Sequence, residues 1–225
     1  SIMLRPCRSG SRHGRFGPAG LPHPGPFPEG EGAAAPHHQS TAGDPAVLEP
    51  LVAACAGALG DAVWGYDDDS LDGVVHALLA GRGESVAVAE SLTGGLLSAT
   101  LSQRPGSSAT YRGGLVVYAT DLKGSLAGVP EALLATHGAV AAETAEALAF
   151  GARSRLGATW GIGVTGVAGP SEQEGKPVGT VHIALAGPSG SQVRTVRLPG
   201  DRDRVRLLTV TAALDLLRRA LTTRK

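Results

Sequence analysis

The chain has 225 residues, 42% of them hydrophobic, and its 20 basic and 20 acidic residues cancel to a formal net charge of zero. A neutral chain lacks the basic surface that indicates binding to nucleic acid or to an anionic membrane, so we expect neither partner. Two cysteines without metal-ligand or redox spacing exclude a disulfide framework, and the lack of a membrane-spanning run or signal peptide favours a soluble, cytoplasmic protein.

Residues 1–45 are predicted to be a disordered, low-complexity segment. They are rich in Gly, Pro, Ser and His and have few aliphatic side chains, so they cannot bury enough apolar surface to offset the entropy cost of ordering. Residues 46–69 are predicted to form a linker, with helical apolar spacing over 46–60 followed by a turn. No metal site is predicted, because His37-His38 has no further ligands nearby and the acids at 67–69 serve the start of the next helix.

From residue 70 to residue 225 the pattern is that of a single domain. Its first helix is predicted over 71–83, capped by Asp69 or Ser70 and closed by Gly81. Short apolar runs then predict strands at 85–90, 113–120, 159–169, 178–187 and 191–200, and helical periodicity predicts helices at 93–103, 129–138, 141–157 and 201–223. This alternation predicts an α/β fold: a three-layer α/β/α sandwich with a mixed, mainly parallel sheet ending in an antiparallel hairpin.

Polar residues follow three of these strands at the point where each strand ends. Because the carboxyl ends of parallel strands meet at one edge of a sheet, where ligands bind in open α/β folds, these residues predict a single site. They are Glu90, Ser91, Thr93, Gly94 and Gly95 after the first strand, Tyr118 and Lys123 after the second, and Thr165 and Gly166 after the third.

The turn after the first strand has two interpretations. Glycines in the first turn of a helix let an anion approach the backbone N–H groups, and Ser91, on a strand-to-helix turn, would be presented outward as nucleophiles often are. Alternatively, Ser91 caps the helix, and Gly94 and Gly95 permit close packing against a neighbouring element. The sequence of this turn does not decide between them.

Lys123 also has two interpretations. A serine nucleophile needs a base, and Lys123 can serve if its pKa falls well below its ordinary value of about 10.4. Burial, or a nearby cation such as Arg112, would act in that direction, and Tyr118 would relay the proton or orient the lysine. A charged Lys123 would instead bind a ligand phosphate. Ser108, in the loop before the second strand, would reach the same cleft.

Four motifs together resemble the C-terminal domain of the CinA (competence/damage-inducible protein) family over about residues 70–222. They are AESLTGG at 89–95, PGSSATYRGGLVVYATDLK at 105–123, HGAV at 137–140 and TGVAGPSEQEGKPVGTV at 165–181. The resemblance implies hydrolysis of the carboxamide of nicotinamide mononucleotide to nicotinate mononucleotide and ammonia, a step of pyridine nucleotide salvage. It also implies a homo-oligomer and no cofactor.

The resemblance assigns roles to residues. Ser91 is implied as the nucleophile, and Tyr118 and Lys123 as the other catalytic residues. The predicted substrate-binding residues are Glu90, Thr93, Gly94, Gly95, Ser108, Arg112, Thr165 and Gly166. Leu92 stands where the family commonly has a cysteine, so that cysteine is not an essential nucleophile here, and Ala141 replaces a serine often found after HGAV.

A second function remains open from the sequence. The chain would then be a non-catalytic nucleotide-binding or protein-interaction module linked to competence or the DNA-damage response. The presence of Ser91, Tyr118 and Lys123 together favours the enzyme, since a binding module has no need of all three.

Overall fold

A five-stranded sheet organises residues 45–223, the part of the chain that the computed structural model describes. Its strands are β1 (Val86–Glu90), β2 (Tyr111–Val116), β3 (Trp160–Gly166), β4 (Thr180–Gly187) and β5 (Gly190–Arg197), in the spatial order β2-β1-β3-β4-β5. β1 runs parallel to β2 and β3, whereas β4 is antiparallel to both β3 and β5. The predicted mixed sheet with a terminal hairpin is therefore confirmed. Apart from Pro45, the predicted disordered segment lies outside the described residues.

The described part of the chain contains seven α-helices. They are α1 (Pro45–Leu59), α2 (Leu71–Arg82), α3 (Leu96–Ser102), α4 (Thr120–Ser125), α5 (Glu131–His137), α6 (Ala142–Arg155) and α7 (Arg202–Thr223). The sequence did not predict α4, because six residues are too few to show a helical period. Between 45 and 223, no helix combines the length and the apolar character needed to cross a membrane.

The ends of α2 correct one prediction. Ser70 is the N-cap, as expected, and its hydroxyl accepts a hydrogen bond from the N–H of Gly73. The helix continues past Gly81 and ends at Gly83, which has a φ of 61°. Glycine is favoured at a helix end with this left-handed conformation, because it has no Cβ to clash with the following carbonyl.

The core has a different character on the two faces of the sheet. On one face, large aliphatic side chains of α2, α3 and α7 pack against the strands, among them Leu79, Leu97 and Leu217. On the other face α6 approaches closely, and a Cβ at Gly163 of β3 would collide with the carbonyl oxygen of Ala145. The abundant glycine and alanine thus permit a close helix–sheet contact, as expected for a three-layer sandwich.

Three connections leave the same edge of the sheet. β1, β2 and β3 are parallel and end at Glu90, Val116 and Gly166, so the segments that follow these residues are neighbours in space. The start of α7 and the segment between α5 and α6 lie against the same edge, as the contacts described below establish.

Candidate active site

A cavity of about 160 Å³, open to solvent, lies at this edge of the sheet. It brings together five of the residues predicted from the sequence, which are Ser91, Tyr118, Lys123, Thr165 and Gly166. The remaining lining residues are Leu92, Thr120, Ala139, Val140, Val167, Ala168, Gly169, Ser171, Gln173 and Arg202.

Lys123 is a buried basic residue of the cavity lining, with 1% of its surface exposed. It projects from α4, and its Nζ donates hydrogen bonds to the carbonyl oxygens of Val117 (2.9 Å) and Tyr118 (3.3 Å). Burial lowers the pKa of Lys123, because removal from water disfavours the ammonium form, while the carboxylates of Glu174 and Asp121 act in the opposite direction. The Arg112 guanidinium, which the sequence suggested as the source of a lowered pKa, has no part in this balance.

Ser91 is held by the strand that lies beside β1. Its backbone N–H donates to the carbonyl of Val164 in β3, and its carbonyl accepts from the N–H of Gly94, which closes a tight turn. Gly94 and Gly95 have φ values of 58° and 95°, a conformation that a residue with a Cβ adopts at a cost. The two glycines therefore permit the sharp turn that leaves Ser91 half-buried in the cavity lining.

Arg202 links two walls of the cavity. It is the first residue of α7, and its guanidinium donates to the hydroxyl of Tyr118 and to the carbonyl of Gly169, both at 2.8 Å. Tyr118 is 57% exposed, so this contact forms at the rim of the cavity. The sequence analysis did not identify Arg202, although a basic residue just after the loop that follows the last strand was the available signal.

A second set of contacts fixes another part of the cavity wall. The hydroxyl of Thr165, at the end of β3, donates to the carbonyl of Ala139 at 2.7 Å. The N–H groups of Ala139 and Val140 donate to the carboxylate of Glu174, each at 3.0 Å. The motifs HGAV and TGVAGPSEQEGKPVGTV contain both of these segments, but no role was predicted for Glu174.

Glu90 was predicted to bind substrate, and the structure contradicts this. Its side chain is completely buried. Its carboxylate accepts hydrogen bonds from the N–H groups of Gly95 (3.0 Å), Leu97 (3.0 Å) and Ser98 (2.8 Å), and from the Ser98 hydroxyl (2.5 Å). Glu90 therefore caps α3 from the preceding strand and satisfies the N–H groups that otherwise have no partner at a helix start.

The same observation corrects the expected roles of Gly94, Gly95 and Thr93. None of them lines the cavity. The N–H of Gly95 is already bound to Glu90, so an external anion does not have this helix start available. Thr93 is completely buried, and its hydroxyl has no hydrogen-bond partner among the described residues.

Ser108 and Arg112 lie at the opposite edge of the sheet. They fall immediately before and near the start of β2, where Tyr111 pairs with Val86 at the start of β1. Since a strand rises about 3.3 Å per residue, Arg112 is roughly 20 Å along the chain direction from Tyr118. The guanidinium of Arg112 donates to the carbonyl of Leu156 and does not line the cavity. The structure therefore does not bring these two residues together with Ser91 and Lys123.

Comparison with known proteins identifies relatives over most of the described chain. The family model for the CinA C-terminal domain matches residues 68–221. The chain is 58% identical over 175 residues to a CinA-like protein of Frankia casuarinae, an alignment covering 78% of this chain and 40% of that protein. It is 47% identical over 154 residues to a putative competence-damage inducible protein of Desulforamulus reducens, covering 68% of this chain and 38% of that protein.

Solved structures share the fold. The competence damage-inducible protein A of Klebsiella pneumoniae aligns with a TM-score of 0.67 at 31% identity, covering 69% of this chain and 97% of that one. The competence/damage inducible protein CihA of Agrobacterium tumefaciens aligns with a TM-score of 0.66 at 36% identity, covering 72% and 99%. The chain spans about two fifths of the length of the curated relatives it matches and nearly all of each of these structures. The chain belongs to the CinA C-terminal domain family.

Proposed function

We propose that this chain hydrolyses the carboxamide of nicotinamide mononucleotide, with Ser91 as nucleophile and Lys123 as base. The observation that carries the proposal is the environment of Lys123 in the cavity that Ser91 lines. The carbonyls of Val117 and Tyr118 accept two hydrogen bonds from its Nζ. Burial favours the neutral amine, in which these two N–H bonds are engaged and one lone pair is left to accept a proton.

The reaction proceeds in two halves. In the first, the Ser91 hydroxyl oxygen attacks the carboxamide carbon while its proton passes to the Lys123 amine. The resulting ammonium returns this proton to the departing nitrogen, so ammonia leaves and a nicotinoyl ester forms on Ser91. In the second half, water attacks the ester, Lys123 takes the water proton and returns it to the Ser91 oxygen, and nicotinate mononucleotide is released.

Other residues of the cavity have supporting roles in this scheme. Leu92 directly follows Ser91 in the chain and also lines the cavity. The backbone N–H of the residue after a nucleophile is a common oxyanion donor, and we assign that role to Leu92. A cavity of about 160 Å³ is smaller than the roughly 300 Å³ of typical ligand pockets, so it suits the nicotinamide end of the nucleotide better than the whole molecule. The phosphate would then remain at the rim, where Arg202 provides a cation.

The test is ammonia release from nicotinamide mononucleotide by the wild type and by Ser91→Ala and Lys123→Met. We expect kcat to fall by roughly 10⁴-fold or more in each variant, as in other enzymes that lose a nucleophile or its base. The matched control is Ser108→Ala, a serine at the opposite edge of the sheet, which is expected to keep wild-type activity. Nicotinamide riboside and nicotinamide, assayed in parallel, measure how much the phosphate and the ribose contribute.

Two results would contradict the proposal. One is wild-type turnover by both Ser91→Ala and Lys123→Met in folded protein. The other is nucleotide binding by the wild type without ammonia release, which is the outcome expected of a non-catalytic binding module.

A further inference from the structure

The carboxylate of Glu174 joins two segments that are distant in sequence. Glu174 lies in the connection between β3 and β4, and Ala139 and Val140 lie between α5 and α6. Each carboxylate oxygen accepts one backbone hydrogen bond of 3.0 Å, Oε1 from Ala139 and Oε2 from Val140. One side chain thus satisfies two neighbouring N–H groups, and hydrogen bonds from N–H groups to a charged acceptor are stronger than neutral ones.

The backbone on both sides is shaped for this contact. Gly138 has a φ of 82°, and a Cβ at this position would collide with a carboxylate oxygen of Glu174. Glu174 itself has a φ of 53°, a left-handed conformation that is unfavourable for a residue other than glycine. Two backbone hydrogen bonds between Gln173 and Lys176 close the turn that presents it. Glu174 therefore adopts an unfavourable backbone conformation in the structure in which its carboxylate makes the two hydrogen bonds.

The segment that Glu174 holds is part of the cavity wall. Ala139, Val140 and Gln173 all line the cavity that contains Ser91. The carbonyl of Ala139 also accepts a hydrogen bond from the hydroxyl of Thr165, so both polar groups of the Ala139 backbone are engaged. The ion pair of Glu174 with Lys176, at 3.7 Å and about one-third exposed on both sides, adds little, as surface pairs of this kind do.

We infer that Glu174 is a positioning residue: its carboxylate ties the β3–β4 connection to the 138–140 segment and so sets the wall of the substrate cavity. This inference rests on the proposed function, in which that cavity receives the nicotinamide group. By occupying the N–H groups of Ala139 and Val140, the carboxylate also withholds two donors that would otherwise bind an anion at this wall.

The experiment compares Glu174→Ala with Glu172→Ala in the full chain. Glu172 is an exposed carboxylate of the same connection, so both variants remove one negative charge from the same loop. Glu174→Gln is a further variant, since it keeps one acceptor oxygen. Amide hydrogen exchange over residues 138–141 measures the contact directly. Ammonia release from nicotinamide mononucleotide, with and without added acetate, measures its effect on the cavity.

In Glu174→Ala we expect exchange at Ala139 and Val140 to accelerate by at least about ten-fold, because opening of this segment no longer breaks the two bonds. We expect kcat/KM to fall by about 10- to 100-fold, the effect of a slightly misplaced site, with an unchanged unfolding midpoint. Acetate is expected to restore part of the activity by occupying the vacated N–H groups. Glu174→Gln is expected to be intermediate, and Glu172→Ala to match the wild type in every measurement.

Three outcomes would overturn the inference. They are unchanged exchange at 138–141 in Glu174→Ala, faster exchange with unchanged kcat/KM, and an equal loss of activity in Glu172→Ala. A wild type that releases no ammonia would contradict the proposed function instead, and the exchange rates would still report whether Glu174 holds the wall.

Discussion

At the scale of single residues, the proton affinity of Lys123 is a balance between burial and two carboxylates. Burial lowers its pKa and is the larger effect, whereas the negative charges of Glu174 and Asp121 raise it. Glu174 is fixed by backbone hydrogen bonds, but Asp121 is an exposed residue of the first turn of α4. Asp121 can therefore be changed to alter the charge near Lys123 while the cavity wall keeps its contacts.

We predict that Asp121→Asn shifts the acidic limb of the kcat/KM profile to lower pH. The Asp121 carboxylate stabilises the ammonium form, so its removal lowers the pKa of Lys123 further. The neutral amine that acts as base is then populated at a lower pH, and activity rises earlier as the pH increases. The shift is expected to be small and to shrink with added salt, because Asp121 is exposed.

The measurement is kcat/KM for nicotinamide mononucleotide between about pH 6 and pH 11, a range that brackets the ordinary lysine pKa of about 10.4. Asp68→Asn, which also removes an exposed charge, from the turn before α2, is the control and is expected to leave the profile unchanged. A shift of the limb to higher pH in Asp121→Asn would contradict the assignment of Lys123 as the base.

At the scale of elements, the sequence predicted the secondary structure of the junction between β1 and α3 but not its hydrogen bonds. The buried run before Glu90 and the glycines after Ser91 predicted the strand, the turn and the helix correctly. The interpretation of this helix start as an anion site was wrong, because Glu90 already occupies its N–H groups. A carboxylate that folds back onto the next helix is not visible in a linear pattern of apolar residues.

The start of α7 was predicted to within one residue, but its contacts could not be predicted, for a physical reason. Arg202 contacts Tyr118, and Arg206, one turn further along the helix, donates to the carbonyl of Thr93. These partners lie 84 and 113 residues away along the chain. Sequence periodicity predicted the helix and its apolar face, but the packing of that face on the sheet decides which loops its polar residues meet.

We predict that Glu90→Gln destabilises the fold by about 2 kcal/mol or more. The amide keeps one acceptor oxygen, but it places an N–H₂ group among the N–H donors of α3, so buried donors lose their partner. Equilibrium urea unfolding measures the change. Glu131→Gln, an exposed carboxylate in the first turn of α5, is the matched control and is expected to stay within about 0.5 kcal/mol of the wild type. Equal stability of the two variants would refute the capping role of Glu90.

At the scale of the whole molecule, the segment before α2 contacts the last helix of the chain. The sequence predicts a domain over residues 70–225 that follows a linker over residues 46–69. The guanidinium of Arg218 in α7, 6% exposed, donates to the carbonyl of Asp61 at 2.6 Å and to the carboxylate of Asp215. The turn that the sequence suggested as a linker thus supplies an acceptor to a buried charge.

The final prediction compares two truncated chains, residues 49–225 and residues 70–225. The first keeps the Asp61 carbonyl and is expected to unfold at the same urea concentration as the full chain. The second leaves the buried guanidinium of Arg218 with Asp215 but without Asp61, so we expect a loss of about 1–3 kcal/mol, the cost of an unsatisfied buried donor. Arg218→Met tests the cause, because it removes the donor and should make the two truncated chains more nearly equal in stability. If residues 70–225 were as stable as residues 49–225 with Arg218 intact, the segment before α2 would be a linker after all.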